Sequence, residues 1–98
     1  MEIRLDGKVA LVTGASKGIG RAIAANLAAS GAAVMLSSRK QDALEEAADE
    51  IRQHTPGADV DVFAANAGEI DQAEACVAAT VERFGAIDVL VNNAATNP

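Results

Sequence analysis

Tryptophan and tyrosine are absent from the 98 residues, and phenylalanine occurs only at Phe63 and Phe84. The core must therefore be assembled from Ala, Val, Ile and Leu, which favours slim helices laid closely on a sheet. Cysteine occurs once, at Cys76, so an intrachain disulfide is excluded, and so are four ligands of the zinc type. A chain of this kind is expected in a reducing interior, the cytoplasm. Cations are in the minority, eight Lys and Arg against fourteen Asp and Glu, for a net charge of −6. Nucleic acid as a partner needs a basic footprint, and this balance argues against it. No apolar run approaches the roughly 20 residues that span a bilayer, and the segment Met1 to Asp6 is too short and too charged for a signal peptide. No membrane partner and no metal are expected.

Half of the residues are apolar, a globular composition, and the length suits one domain over 1–98 rather than two. The chain is organised around Lys8 to Gly20, KVALVTGASKGIG. The apolar run Val9-Ala10-Leu11-Val12 reads as a strand buried on both faces. It breaks at Gly14 and passes, through Gly18 and Gly20, directly into a helical pattern. Glycine permits a tight turn and close approach of backbone. The first turn of the helix aims unpaired N–H groups and a positive dipole end at the space in front of it, the arrangement that holds phosphate.

Downstream, the helix runs from Gly18 to Ser30, with Ile19, Ile23 and Leu27 on one face, and Gly31 stops it. Ala33 to Ser37 is a second strand, and Gln41 to His54 a second helix with Leu44, Ala47, Ala48 and Ile51 inward and its carboxylates solvated. Val60 to Ala64 is a third strand, less purely apolar and so nearer an edge. A capping box at Asp71 and Glu74 starts a third helix, whose inward face is Ile70, Ala73, Val77, Val81 and Phe84. Ile87 to Val91 is a fourth strand, leading into Asn92-Asn93-Ala94-Ala95. The order β-α-β-α-β-α-β implies an α/β fold with a doubly wound parallel sheet and right-handed crossovers. The expected strand order is 3-2-1-4, with a cleft above the carboxyl ends of the first and fourth strands. The fourth strand is expected to form an exposed apolar edge that favours self-association, hence a homo-oligomer. His54 and Cys76 read as surface and packing residues.

The spacing T-G-x-x-x-G-x-G is neither the general dinucleotide fingerprint nor a Walker loop, so an NTPase is disfavoured. Thr13 to Gly20, TGASKGIG, together with Asn92 to Ala95, NNAA, resembles the short-chain dehydrogenase/reductase family. Ala95 stands where that family usually has glycine. The wording is similar to 3-oxoacyl-carrier-protein reductase-like and carbonyl-reductase-like members. A sugar-nucleotide epimerase is less consistent with it, since those favour T-G-x-x-G-x-x-G.

The resemblance implies a Rossmann-type nicotinamide dinucleotide site. In it Gly14 makes the turn, Gly18 admits the pyrophosphate and Gly20 lets the helix approach the strand. Ser16 and Ile19 line the phosphate and nicotinamide sides. Asn66, with Ala67 beside it, falls where the family commonly carries an aspartate that accepts from the adenine amino group, and an Asn carbonyl could accept the same bond. Asn93, Ala94 and Ala95 face the adenosine ribose. The cofactor choice follows from charge. NAD needs a carboxylate at the end of the second strand, but Ser38 stands there, followed by Arg39, with Lys17 in the glycine turn. Two cations and no anion suit a 2′-phosphate, hence NADP(H) over NAD(H).

The family's acid–base chemistry uses a Tyr-x-x-x-Lys pair, a serine and a further asparagine, beyond the second motif. With no tyrosine anywhere, no catalytic residue is assigned here. The expectation is a cofactor-binding half-domain of an oxidoreductase acting on a small carbonyl or alcohol substrate, inactive by itself. A nucleotide-binding module without catalysis, or a structural partner, are the competing readings.

Overall fold

A computed structural model describes residues 3–93. Strand β1 (Val9–Thr13) leads to helix α1 (Gly18–Ala29), then β2 (Ala33–Ser38), α2 (Gln41–His54), β3 (Val60–Ala64), α3 (Ile70–Phe84) and β4 (Val89–Val91). All pairings are parallel, in the order β3-β2-β1-β4. The expected doubly wound half-sheet is therefore present, with β3 at one edge. The central register puts Leu11 beside Met35 and Leu90, and Val12 beside Leu36 and Val91.

Alternation along each strand sorts the side chains onto two faces. Ala10, Val12, Val34, Leu36 and Val60 pack with Ala24 and Ala28 of α1 and Leu44, Ala47, Ala48 and Ile51 of α2. Leu11 and Met35 pack on the other face with Cys76 of α3 and Ala65. Arg21 joins the two helices of the first face, its guanidinium 2.6 Å from Glu50 and 4.0 Å from Glu46. Asp88 stands in for backbone at the start of β4, its Oδ2 accepting from the Val9 N–H at 2.8 Å.

The inward stripes of two helices differ from those read in the sequence. In α1 the buried positions are Gly20, Ala24 and Ala28, while Ile19 is 73% exposed and Leu27 only half-buried. In α3 the buried positions are Cys76 and Thr80, while Ile70, Val77 and Val81 are exposed. Each helix is rotated by one residue, about 100°, from the orientation its large side chains suggest. In both, the buried row is made of small residues and the larger side chains fall on the neighbouring rows. The capping box at Asp71 does not form. Glu69 is the residue before α3 and makes no side-chain cap. The helix is started by Asn66 instead, whose carbonyl accepts from the Glu69 N–H at 3.0 Å.

Candidate nucleotide-binding turn

The turn from Gly14 to Lys17 sits at the carboxyl end of β1, in the centre of the sheet. Its two neighbours hold it. On one side the Ala15 N–H donates to the Ser37 carbonyl at the end of β2, at 3.0 Å. On the other, Thr13 Oγ1 accepts from the Asn93 N–H at 3.0 Å and lies 3.1 Å from Asn92 Oδ1. Asn93 Nδ2 donates to the Gly14 carbonyl at 3.3 Å. The two stretches singled out in the sequence, 13–20 and 92–93, are thus fastened to each other at the cleft between β1 and β4. Ala94 and Ala95 lie outside the described residues.

Two glycines have distinct physical reasons. Gly18 has φ of +62°, in the left-handed region, where any side chain would be strained even though the space beside it is open: a Cβ there would meet no atom within 4 Å. Gly20 is buried, and a Cβ there would run into the Gly14 carbonyl oxygen and lie 2.5 Å from Asn93 Nδ2. The helix can approach the turn only because that carbon is missing. Lys17, extended at φ −158°, precedes α1 without a side-chain cap, and the first turn of α1 carries no acidic residue. Its leading N–H groups therefore remain available to an anion. Ser16 is half-buried in the turn, and Lys17 and Ile19 are exposed at its rim.

At the end of β2, Ser38 Oγ accepts from the Lys40 N–H at 3.3 Å, and Arg39 is exposed with no ion pair among the described residues. Arg39 lines a cleft of about 240 Å³ together with Ala64, Ala65, Asn66 and Gln72. Ala67 is exposed just beyond it. Gln72 was not singled out in the sequence. It earns a place because its Oε1 accepts from the Asn66 N–H at 2.7 Å, from one turn into α3. The only sequence signal was an amide six residues after Asn66. The carboxylates of α2 line a separate groove, Asp42 to Gln53, whose charge would repel phosphate. No group of metal-ligating side chains occurs among the described residues, and no helix among them is long and apolar enough to cross a membrane.

The site geometry fits a dinucleotide: an amide-lined turn at β1, cations at its rim and at the end of β2, and a cleft at the end of β3. Residues 8–98 match the family model described as short chain dehydrogenase. Tropinone reductase-like 3 of Erythroxylum coca is 42% identical over 95 residues, covering 97% of this chain and 36% of the relative. Among solved structures, L-sorbose reductase of Gluconobacter frateurii, complexed with NADPH and L-sorbose, matches all of this chain and 37% of its own, at 39% identity and a TM-score of 0.92. An actinorhodin polyketide ketoreductase with NADPH matches 91% of this chain and 33% of its own, at 42% identity and a TM-score of 0.85. The chain spans about a third of the length of the curated relatives it matches.

Proposed function

The chain belongs to the short-chain dehydrogenase family, and on that premise we propose that it forms the NADP(H)-binding part of an oxidoreductase acting on a carbonyl or alcohol substrate. The bound nicotinamide would supply the hydride. The chain's own residues bind and orient. The leading amides of α1 and the turn at Gly14 and Gly18 receive the pyrophosphate. Lys17 and Arg39 receive the extra phosphate on the ribose. Ser16 and Ile19 border the phosphate and nicotinamide sides, and Asn93 holds the turn in shape through Gly14.

One observation carries the choice of NADP(H): the end of β2 offers Ser38 and Arg39 and no carboxylate, with the Arg39 guanidinium in no ion pair among the described residues. A ribose 2′-OH would find no acceptor of the NAD type there, whereas a 2′-phosphate would find a forked cation. The test is equilibrium titration of the Arg39→Ala variant. NADPH affinity should fall by about tenfold, the scale of one charge-assisted hydrogen bond, while NADH affinity stays put. Unchanged affinity for both would remove the assignment.

The absence of tyrosine from the sequence favours a second reading of the 98 residues by themselves, a module that binds the cofactor and does not reduce a carbonyl. NADPH binding without consumption of NADPH in the presence of ketone substrates is its signature.

A further inference from the structure

We propose that the outer edge of β3 is latched against strand addition, and that the strand it turns away is an edge of a second copy of this chain. Strand β3 is paired with β2 on one side only. The Val34 N–H donates to the Asp59 carbonyl at 2.9 Å, and the Ala65 N–H to the Ser38 carbonyl at 2.8 Å. Backbone groups alternate in direction along a strand, so Asp59, Asp61, Phe63 and Ala65 address β2, while Val60, Val62 and Ala64 address the open side. A bare row of that kind is a template for another chain.

Two of the outward groups are taken. The Val60 carbonyl accepts from Arg52 Nη2 at 3.0 Å, which reaches it from α2 on one face of the sheet. The Val62 N–H donates to Asp61 Oδ1 at 2.8 Å. The other carboxylate oxygen of Asp61 is held from the opposite face, by Arg83 Nε of α3 at 3.2 Å. Arg83 is itself braced: its Nη2 donates to Asp59 Oδ1 at 3.0 Å, and its guanidinium lies 4.6 Å from the centroid of the Phe84 ring. The Val60 carbonyl and the Val62 N–H are the pair that an incoming residue opposite Asp61 would bond, whether its strand ran parallel or antiparallel. They sit in the middle of a five-residue strand, so filling both leaves no run of consecutive bridges on either side. Strand β4 has no such latch. Asp88 addresses β1, so Val89 addresses the open side, and among the described residues no side chain bonds its backbone. With β4 alone open, association closes at two copies, because an edge-to-edge pair uses up its only open strand. With β3 open as well, every added copy presents a further edge and growth has no end.

The experiment is sedimentation of the 98-residue chain and of the double variant Arg52→Ala/Asp61→Ala over a range of protein concentrations, with a denaturant melt to establish that the variant is folded. The double change opens both groups and removes one charge of each sign, so overall repulsion between copies is unaltered. Wild type should go no further than pairs, whereas the variant should form larger species that grow with concentration. Wild type growing past pairs, or a folded variant that stops where wild type stops, overturns the inference. Should the variant not fold, amide exchange of the wild type decides. Val62 and Ala64 both address the open side, and of the two only the Val62 N–H has a side-chain acceptor among the described residues. After correction for intrinsic rates it should exchange about tenfold more slowly than the Ala64 N–H, the scale of one hydrogen bond to a charged group. Equal rates would show that the latch stands open in solution and overturn the proposal.

Discussion

The two faces of the sheet are built from the same strands and finished differently. Among the described residues, the face under α1 and α2 gathers thirteen buried residues into one cluster, with Leu36, Leu44, Val12 and Val34 at full burial. The face under α3 gathers four: Leu11, Met35, Ala65 and Cys76. On the α3 side, Ile70, Val77 and Val81 of the helix are 43% or more exposed, and Leu90 of β4 is 61% exposed. Two helices cover one face and one covers the other, so stability should be concentrated on the first. The glycine turn is anchored to the stretch after β4, through Thr13 and Asn93.

The strongest way to break this comparison is to remove matched side chains from the two faces. Leu44→Ala empties a fully buried position and is expected to cost about 2–5 kcal/mol. Val81→Ala, on the exposed side of α3, should cost about 0.5 kcal/mol or less. Denaturant melts of the two variants measure the difference. Should Leu44→Ala abolish folding altogether, Ile51→Val, expected at about 0.5–1.5 kcal/mol, keeps the contrast measurable. Equal losses on both faces would show that the α3 face is as well consolidated as the other.

The same contrast explains what could be read in the sequence. The element order, the parallel sheet order and the bounds of α2 and β3 were legible, because strong runs such as Val9–Val12 alternate with segments of helical period. The stripe on α2 was legible because Leu44 and Ile51 are both large and inward. The stripes on α1 and α3 were not. There the sheet-facing positions are Gly20, Ala24, Ala28, Cys76 and Thr80, and a reading that follows large apolar residues picks the neighbouring row. The glycine turn and Asn93 could be placed from their motifs. Gln72 could not, because its contribution is a hydrogen bond to the backbone of Asn66 that no periodicity announces.

A smaller effect sharpens the comparison from the exposed side. Strand β4 pairs with β1 along one side only, so its other side is an open edge among the described residues, and Leu90 stands on its uncovered face. An open apolar edge pairs with other chains. Leu90→Lys is expected to leave stability within about 0.5 kcal/mol and to weaken self-association measured by sedimentation. Unchanged association would move the contact away from this edge.

The smallest expected effect lies at the amino end of the well-covered face. Leu5 packs against that core, and its N–H donates to the Ser30 carbonyl at the end of α1 at 2.6 Å. Arg4 reaches the Ala29 carbonyl at 3.3 Å and also grips Asp6, Nη2 to Oδ1 at 3.0 Å and Nε to Oδ2 at 3.3 Å. The hydrogen bonds from Arg4, and then its charge, hold the Asp6 carboxyl below its ordinary value of 3.8. A carboxyl whose pKa is lowered by folding stabilises the fold above the unfolded value, and loses that contribution as pH falls through the folded one. Wild type should therefore exceed Asp6→Asn in stability at neutral pH, and the gap should close in acid below 3.8. Because the pair is exposed, added salt should shrink the gap as well. A gap that survives both acid and salt would show that the stabilising contribution of Asp6 is not the electrostatic one, since Asn keeps the size and shape of the side chain.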